Sequence, residues 1–577
     1  MMFTTARVVA LIAYATGCVA QSSSSTPTAT TTTATFTTYT GTAESPVVSI
    51  NQFGSIQGNR SSYINTTYNF KGIPFANSSQ EYRWHHPGHV TKWYDLKETT
   101  SFGPACPQEG VDDYDEDCLT LNVWTPGNAT FNDVYTGDDF TGTKPNANAS
   151  AYPVYVWIYG GRFAGGAASD ALYDGSGLAA KGVVVVSMNY RLGALGFLAH
   201  PELSANSTSG TSGNYGLVDQ QASLHWVNEN IANFGGDPSR ITIGGQSAGA
   251  GSVIDHVYST SLADDLFEQV IAESGVRYPR DPMTGSLAPS YRQLAEAEEQ
   301  GADYLTNTLN VSTITEARAL DVTAFLSSGQ MSDTIFVGTV FENNTAYAEP
   351  PLFRPVLDGY VLPASYDTIL QAGNFTNAKI LTGNNKDESG ASVSPGYTVA
   401  TYTAAMEEIF GSVGLADEFF QLWAAGNTTD QANNASNTFF QDQSRTGTHL
   451  WANEYTAGCA TATNCTVYNY YWTHAPPGQS KGAYHMSEIN YAFNNLYATD
   501  SPWTAEDYAI ADTLSDYWVN FISTGNPNGG NLTNWPANAN GTAQAMVLGD
   551  SWGVEDVASS EEKITFIEDF FSNFAAW

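Results

Sequence analysis

From about residue 47 onward, short apolar runs alternate with helical patterns of apolar residues. The runs at residues 154–158 and 183–186 contain no charged side chain, which is typical of strands buried on both faces of a parallel sheet. Residues 241–243 predict a third strand, ended by the Gly pair at 244–245. One face of a predicted helix before it carries Leu217, Leu224, Val227 and Ile231. This alternation predicts an α/β fold with a mainly parallel sheet, an architecture that many enzyme classes share.

The first twenty residues have the pattern of a cleaved signal peptide. Arg7 precedes an apolar run at residues 8–15, and the segment closes on Ala20, the kind of small residue that signal peptidase requires. The run is too short to span a bilayer as a stable helix, and no later stretch reaches that length. A membrane anchor or a disordered tail is the alternative interpretation. We expect residues 1–20 to be removed and the protein to be secreted into the extracellular space.

Residues 21–45 are dominated by Ser and Thr, a composition that cannot bury a core and is typical of a flexible, O-glycosylated segment. Residues 46–577 show no linker and no fixed-period repeat, so we expect one domain there. Asn-x-Ser/Thr acceptors are frequent and, together with the signal peptide, predict N-linked glycans. The acceptors are Asn59, Asn65, Asn77, Asn128, Asn148, Asn206, Asn310, Asn343, Asn374, Asn427, Asn434, Asn464, Asn531 and Asn540.

The chain is strongly acidic. Its 577 residues include 21 Lys and Arg against 58 Asp and Glu, which gives a formal net charge of −37. The resulting field repels nucleic acids and anionic membranes, so we expect neither as a partner. Hydrophobic residues make up 42% of the chain, enough for a sizeable core. No pattern in the sequence specifies an oligomeric state.

Five cysteines fit a secreted protein. Cys18 leaves with the signal peptide, and the remaining four can pair in an oxidising compartment. The simplest of the three possible pairings joins Cys106 to Cys118 and Cys459 to Cys465, which are close in sequence. None of these spacings is that of a zinc site, and we expect neither a metal nor a cofactor.

A candidate nucleophile follows the third predicted strand. Residues 245–249 read Gly-Gln-Ser-Ala-Gly, and a helix can begin at Ala248. Strand, sharp turn and helix form the context in which this pentapeptide lifts a Ser hydroxyl above the edge of a sheet. The helix N-terminus also favours negative charge that develops nearby. Ser247 is therefore the candidate nucleophile, although a Gly-rich chain can contain the bare pentapeptide by chance.

Two longer segments resemble the signatures of the type-B carboxylesterase/lipase family. They are FGGDPSRITIGGQSAG at residues 234–249 and EDCLTLNVWTP at residues 116–126, and further similarity extends from residues 70–76 to residues 518–528. The resemblance, which is to secreted fungal carboxylesterases, implies the α/β-hydrolase fold. In that fold a large central, mostly parallel sheet is flanked by helices, here with a short lid. It also implies a serine carboxylic ester hydrolase that acts through an acyl-enzyme on Ser247.

The resemblance extends to the acid of a catalytic triad. In α/β-hydrolases the triad follows the chain order Ser, acid, His. Residues 383–390, GNNKDESG, resemble the family's G-x-N-x-D-E-G segment, in which the Glu is the acid. This assigns the acid to Glu388, while residue types alone do not choose between Glu388 and Asp387.

The base is implied in the same way. Residues 482–489 resemble the family's G-A-x-H-G-x-E-I segment, so His485 is the expected base that deprotonates Ser247. His449 and His474 also lie late enough in the chain. His474 follows an aromatic strand pattern and is more typical of a structural histidine.

The donors of an oxyanion hole are implied by residues 159–163, which stand where the family has H-G-G-G-F. Carried over by position, the donors are the backbone N–H groups of Gly161, Arg162 and Ala248. Tyr159 replaces the usual His, and Arg162 replaces the third Gly, which costs strain if the position requires a positive φ. We expect the Arg162 side chain either to pack as support or to bind an anionic acyl group.

Two further departures lie beside the reacting groups. Gln246 replaces a more usual Glu directly before Ser247, and Met486 replaces a Gly directly after His485. Neither change removes a reacting atom.

The loop between Cys106 and Cys118 bears on the substrate. In the family the first disulfide encloses a flap over the gorge, which is long and amphipathic in lipases and carries a cation-binding Trp in cholinesterases. Here residues 107–117 are short, acidic and without Trp, so they cannot present an apolar face to a lipid surface. We expect soluble short- to medium-chain esters as substrates. The alternatives are a catalytically inactive cholinesterase-like adhesion protein, a specialised lactone or toxin esterase, and a lipase.

Overall fold

The computed structural model of the protein describes residues 39, 41–51, 53–129, 131, 151–263, 265–286, 290–459, 465–539 and 542–577. The predicted signal peptide and most of the predicted Ser/Thr-rich segment lie outside these residues. So do three of the predicted glycan acceptors, which are Asn148, Asn464 and Asn540.

Strands of the described residues form one mixed sheet of eleven strands, in the order β16-β15-β14-β13-β10-β9-β7-β8-β6-β4-β3. Two small sheets, β1-β2-β5 and β11-β12, lie outside it. The strands are β1 (Val47–Ile50), β2 (Gly54–Gln57), β3 (Asn59–Arg60), β4 (Thr67–Pro74), β5 (Lys97–Glu98), β6 (Thr120–Pro126), β7 (Tyr152–Ile158), β8 (Val184–Met188), β9 (Gly236–Gln246), β10 (Gln269–Glu273), β11 (Arg292–Gln293), β12 (Val356–Leu357), β13 (Lys379–Asn385), β14 (Val467–Trp472), β15 (Gln544–Leu548) and β16 (Gly553–Asp556).

The strands from β8 to β15 in this order run parallel, and antiparallel pairs close the sheet at both ends. In the centre, Val154 of β7 lies opposite Val184 of β8 and Ile241 of β9. All three side chains are buried. Burial of each such residue contributes about 1.5–3 kcal/mol relative to exposure. The predicted mostly parallel sheet is therefore confirmed.

Helices flank the sheet. The α-helices are α1 (Ser176–Ala180), α2 (Gly193–Phe197), α3 (Pro201–Asn206), α4 (Tyr215–Asn230), α5 (Ala248–Tyr258), α6 (Thr260–Ala263), α7 (Leu294–Asp303), α8 (Ile314–Arg318), α9 (Tyr366–Ala372), α10 (Val399–Gly411), α11 (Ala416–Leu422), α12 (Thr429–Gly458), α13 (Ile489–Ala492), α14 (Ala505–Thr524) and α15 (Glu561–Ser572). Short 3₁₀ segments lie at Gln80–Tyr82, Ala171–Tyr173, Ile231–Phe234, Pro282–Ser286, Val322–Gln330 and Leu496–Ala498, and a π-helical turn at Tyr304–Thr308. None of the helices in the described part of the chain is both long and apolar enough to cross a membrane.

The predicted elements around the candidate nucleophile are present, with one correction. The predicted helix is α4, in which Leu217, Leu224 and Val227 are fully buried, and Ile231 is fully buried in the 3₁₀ segment that follows it. The third strand does not end at Gly244 and Gly245 but continues to Gln246. The reason is that β9 lies between two partner strands, β7 and β10, and ladder hydrogen bonds to both sides need no side chain.

The chain order places a ligand site at the carboxyl end of β7. From β7 the chain passes to β8 on one side and then crosses to β9 on the other side. Such a reversal leaves a crevice outside the carboxyl ends of the neighbouring strands, where open α/β sheets bind ligands. The loops that follow β7, β9, β10, β13 and β14 all begin at this edge.

Candidate active site

Ser247 occupies a strained turn between β9 and α5. Its φ is 59° and its ψ is −122°, in a region that non-glycine residues rarely adopt and that costs on the order of 1–3 kcal/mol. The backbone N–H of Ser247 donates to the carbonyl oxygen of Glu273 at 2.9 Å. A Cβ on Gly249 would lie 2.1 Å from the carbonyl oxygen of Ile158, so only Gly fits where α5 passes β7. Close packing of this kind holds the turn in place.

Glu388 and His485 meet beside this turn. Glu388 follows β13 by three residues, and its Oε2 lies 2.7 Å from Nδ1 of His485. Its other oxygen, Oε1, accepts from the backbone N–H of Asn385 at 2.7 Å. The Glu388 side chain is 2% exposed and that of His485 is 42% exposed. A buried carboxylate therefore orients a ring that is partly exposed.

Asp387, the competitor that residue types could not exclude, has a different partner. Its Oδ2 accepts from the backbone N–H of Ala483 at 2.8 Å, and its own N–H donates to the Ala483 carbonyl at 3.0 Å. These bonds join the loop after β13 to the loop that carries His485. Asp387 thus fixes the backbone while Glu388 contacts the imidazole.

The electrostatic surroundings of His485 favour its protonated form. Desolvation by the surrounding protein lowers the pKa of the imidazole. The hydrogen bond and charge of Glu388, together with the charge of Glu488, raise the pKa by more, and the Arg277 guanidinium lowers it slightly. The net pKa of His485 lies above its usual value. This arrangement stabilises a positive charge on the ring, as a proton acceptor requires.

The residue before the serine reaches the base. Nε2 of Gln246 lies 3.1 Å from Nε2 of His485. By contrast, the Oγ of Ser247 makes no hydrogen bond with any described residue. In the sequence, Gln246 is only a departure from Glu, and no pattern there indicates this contact.

A glycine loop (residues 159–166) follows β7 and packs against the turn of Ser247. A Cβ on Gly160 would lie 3.1 Å from the Cβ of Ser247 and 2.4 Å from the carbonyl oxygen of Gln246. The backbone N–H groups of Gly161 and Arg162 donate to no residue in the described part of the chain. Ala248 is the first residue of α5, so its N–H has no partner within the helix. These three predicted donors are therefore available to an oxyanion.

The departures from the family pattern in this loop have visible consequences. Arg162 has a φ of 59°, so the strain expected for a side chain at this position is present. Tyr159 stacks on Tyr190 with ring centroids 4.6 Å apart, and the Tyr190 hydroxyl donates to the Tyr159 carbonyl at 2.8 Å. This pair anchors the start of the glycine loop.

The departure beside the base also has a backbone consequence. Met486 has a φ of 79°, which explains why Gly is favoured directly after His485.

The Arg162 side chain reaches a segment that the sequence did not single out. Its Nη2 donates to the carbonyl oxygen of Glu349 at 2.7 Å. Glu349 belongs to a cover segment (residues 331–350), and its carboxylate accepts from the Phe336 N–H instead of Arg162. Ala346 of this segment lies against the loop after Glu388, since a Cβ on Gly390 would be 2.9 Å from that of Ala346. The cover segment thus contacts both the glycine loop and the loop after Glu388.

Both predicted disulfides are present, Cys106–Cys118 and Cys459–Cys465. The loop inside the first one is attached to the glycine loop through Gln108. Its Nε2 donates to the Gly166 carbonyl at 2.8 Å, and its Oε1 accepts from the Gly166 N–H at 2.7 Å. The acidic residues 109–117 therefore start directly beside the site.

Two buried acids lie behind the site and were missed from the sequence. Glu273 ends β10 and accepts from Trp518 Nε1 at 2.9 Å, and Glu488 accepts from Asn385 Nδ2 at 2.6 Å. The second carboxylate oxygen of each is buried without a partner among the described residues. Burial raises the pKa of both groups to about 8. The available signals were an acid placed directly after the apolar run at residues 270–272 and the Glu within the segment at residues 482–489.

The other candidate histidines have structural contacts. His474 lies between two acids, with Nδ1 2.6 Å from Asp550 and Nε2 3.0 Å from Asp507. His449 contacts Asn538 and Asn453. None of these contacts involves Ser247. The described residues contain no group of three side chains suited to a metal ion.

Comparison with known proteins identifies the family. Residues 44–563 match the model of the carboxylesterase family. The chain therefore belongs to the carboxylesterase family, within the α/β-hydrolase superfamily, and is a carboxylic ester hydrolase. The type-B resemblance seen in the sequence is confirmed.

Individual relatives cover most of the chain. A fumonisin B1 esterase of Sphingopyxis macrogoltabida is 32% identical over 514 residues, which are 86% of this chain and 85% of that protein. A para-nitrobenzyl esterase of Bacillus subtilis (strain 168) is 29% identical over 533 residues, 89% of this chain and 96% of the relative. Among solved structures, a PNB esterase is similar with a TM-score of 0.69 and 28% identity, over 91% of this chain and all of that chain.

Proposed function

We propose that the protein is a secreted serine esterase that cleaves soluble short- to medium-chain carboxylic esters through an acyl-enzyme on Ser247. One observation carries the proposal. Glu388 binds Nδ1 of His485, which leaves Nε2 as the proton acceptor. Gln246, directly before Ser247, contacts the same ring, and Gly160 of the glycine loop packs against the turn of Ser247.

The reaction follows from these positions. His485 Nε2 takes the proton of the Ser247 hydroxyl as Oγ attacks the carbonyl carbon of the ester. The oxyanion accepts hydrogen bonds from the N–H groups of Gly161, Arg162 and Ala248. The bond to the alkoxy oxygen then breaks, and the alcohol leaves with the proton from His485. Water repeats the sequence on the acyl-enzyme and releases the acid.

The preference for soluble esters is supported by the loop at the first disulfide. It contains only residues 107–117, and its exposed side chains include Glu109, Asp112 and Asp113. A surface of this kind does not bind an apolar interface. A marked increase in rate on emulsified long-chain triglyceride would contradict this part of the proposal.

Secretion and glycosylation are supported by the exposure of the acceptor sites. Among the acceptors in the described residues, nine are exposed, namely Asn65, Asn128, Asn206, Asn310, Asn343, Asn374, Asn427, Asn434 and Asn531. A secreted, glycosylated enzyme should lose mass on treatment with an endoglycosidase. An unchanged mass for the extracellular protein would contradict glycosylation.

The test of the activity is a series of p-nitrophenyl esters of increasing acyl length, run with the wild type and Ser247→Ala. We expect the highest kcat/KM on short to medium chains and a loss of at least about 10³-fold in the variant. An organophosphate should label Ser247 covalently in the wild type. An intact protein that neither hydrolyses an ester nor takes the label would favour the adhesion protein instead.

A second candidate is a more specialised toxin esterase. The relative that acts on fumonisin B1 covers most of this chain. Incubation of the purified protein with fumonisin B1, followed by mass spectrometry of the products, tests this function. Hydrolysis at a kcat/KM well above that for p-nitrophenyl butyrate would favour it.

A further inference from the structure

The amide of Gln246 is directed at the atom that must accept a proton. Its Nε2 is 3.1 Å from His485 Nε2. Because Glu388 binds Nδ1, the neutral ring carries its hydrogen on Nδ1 and its lone pair on Nε2. An amide NH₂ group is a donor only, so Gln246 donates to this lone pair.

Gln246 has little freedom to do anything else. It is the last residue of β9, paired with Glu273 of β10, and its carbonyl oxygen is packed under Gly160. The side chain is buried, and the contact with His485 is its one hydrogen bond to the described residues. The backbone is therefore fixed, and the amide can only rotate about its own bonds.

The lone pair of an imidazole nitrogen accepts one strong hydrogen bond. Ser247 needs this lone pair to lose its proton, yet its Oγ has no hydrogen bond to any part of the chain described. We propose that Gln246 is a positioning residue, which occupies the lone pair of His485 in the free enzyme and releases it to Ser247 during the reaction. This inference rests on the proposed function, in which His485 is the base.

The proposal gives Gln246 an effect opposite to that of a carboxylate. A donor to Nε2 stabilises the neutral ring, whereas a Glu at this position would stabilise the imidazolium. The charged or titratable groups facing His485 are Glu388 and Glu488, with Glu273 behind Glu488 and Arg277 further away. Gln246 is uncharged. Its N–H stabilises the neutral imidazole, whereas the carboxylates stabilise the imidazolium.

The test uses the full-length enzyme and compares the wild type with Gln246→Met, which keeps the volume but has no N–H donor. The measurement is the pH dependence of kcat/KM for p-nitrophenyl acetate, repeated for the rate of organophosphate inactivation, which needs no deacylation. Loss of the donor destabilises the neutral ring, so the acidic limb should move upward by about 0.5–1 pH unit. Gln246→Glu should move the limb in the same direction and further, because it adds a negative charge.

Gln220→Met is the matched control. Gln220 is also a buried amide, and its Oε1 lies 2.9 Å from Nε2 of another histidine, His256. Its substitution therefore shows the general effect of losing a buried amide, which can be compared with the specific effect of Gln246 on His485. We expect its acidic limb to stay at the wild-type position. An unmoved limb in folded Gln246→Met would overturn the inference. If that variant does not fold, an unmoved limb in Gln246→Glu would do so.

Failure of the inference and failure of the proposed function give different results. If Ser247→Ala is inactive and the organophosphate labels Ser247, the proposed function stands, and the position of the limb alone decides the role of Gln246. If Ser247→Ala retains wild-type activity, the proposed function fails, and the inference fails with it.

Discussion

The guanidinium of Arg162 donates to the backbone carbonyl oxygen of Glu349 at 2.7 Å. This bond joins the glycine loop, which carries the expected oxyanion donors, to the cover segment at residues 331–350. Arg162 forms no ion pair with a carboxylate of the described residues, and the Glu349 carboxylate is bound to the Phe336 N–H. The contact favours support of the loop over binding of an anionic acyl group, the two roles expected from the sequence.

Arg162→Gly tests this choice. Gly relieves the strain of the positive φ and leaves the backbone donor in place, while the bond to Glu349 is lost. We expect the free energy of unfolding to change by no more than about 1 kcal/mol. The ratio of kcat/KM for p-nitrophenyl hemisuccinate to that for p-nitrophenyl butyrate should stay within about twofold of the wild type. A fall of more than about tenfold in this ratio would assign Arg162 to the substrate instead.

The acid of the proposed triad can be separated from its neighbour. Glu388→Gln keeps the shape of the side chain but removes the charge that stabilises the imidazolium and fixes its tautomer. We expect kcat for p-nitrophenyl butyrate to fall by roughly 10³–10⁴-fold. Asp387→Asn is the matched control, because Asp387 binds the backbone of Ala483 and not the ring. It should retain more than about a tenth of the activity, and equal losses in the two variants would contradict the assignment.

How far the sequence could predict this site depends on how local each contact is. The turn of Ser247 was predictable because strand, turn and helix are consecutive in the chain. The choice of Glu388 over Asp387 needed the family pattern, since adjacent acids differ only in where the loop directs them. The bond between Arg162 and Glu349 joins residues 187 positions apart. No pattern of apolar and polar residues indicates such a contact.

The buried acids illustrate the same limit. An acid after an apolar strand is an ordinary feature, and Glu488 lies within the segment that identified His485. Their proximity arises only when β10 is placed in the sheet and the loop after β14 folds back over its edge. The parallel sheet was predictable from its apolar runs, but which polar groups face each other at its carboxyl edge was not.

Gln108 provides a prediction about the glycine loop. Its two hydrogen bonds to Gly166 hold this loop from the side of the first disulfide. Gln108→Ala removes both, so the oxyanion donors lose part of their preorganisation and kcat should fall by roughly tenfold with a smaller change in KM. Glu109→Ala, which changes the exposed neighbour, should leave both constants within about twofold. A rise in KM alone would show that the loop positions the substrate and not the donors.

The pair of buried acids makes stability depend on pH in a defined direction. Burial raises the pKa of Glu273 and Glu488 from 4.5 to about 8. The folded protein therefore binds more protons than the unfolded chain between these values, and stability falls as the pH rises through that window. Glu273→Gln removes one titrating group and keeps an acceptor for Trp518. The difference between the melting temperatures at pH 5 and pH 8 should therefore narrow by about 2–4 °C. Glu109→Gln makes an equal charge change at an exposed site and should leave this temperature difference unchanged. An unchanged difference in Glu273→Gln as well would contradict the raised pKa of Glu273.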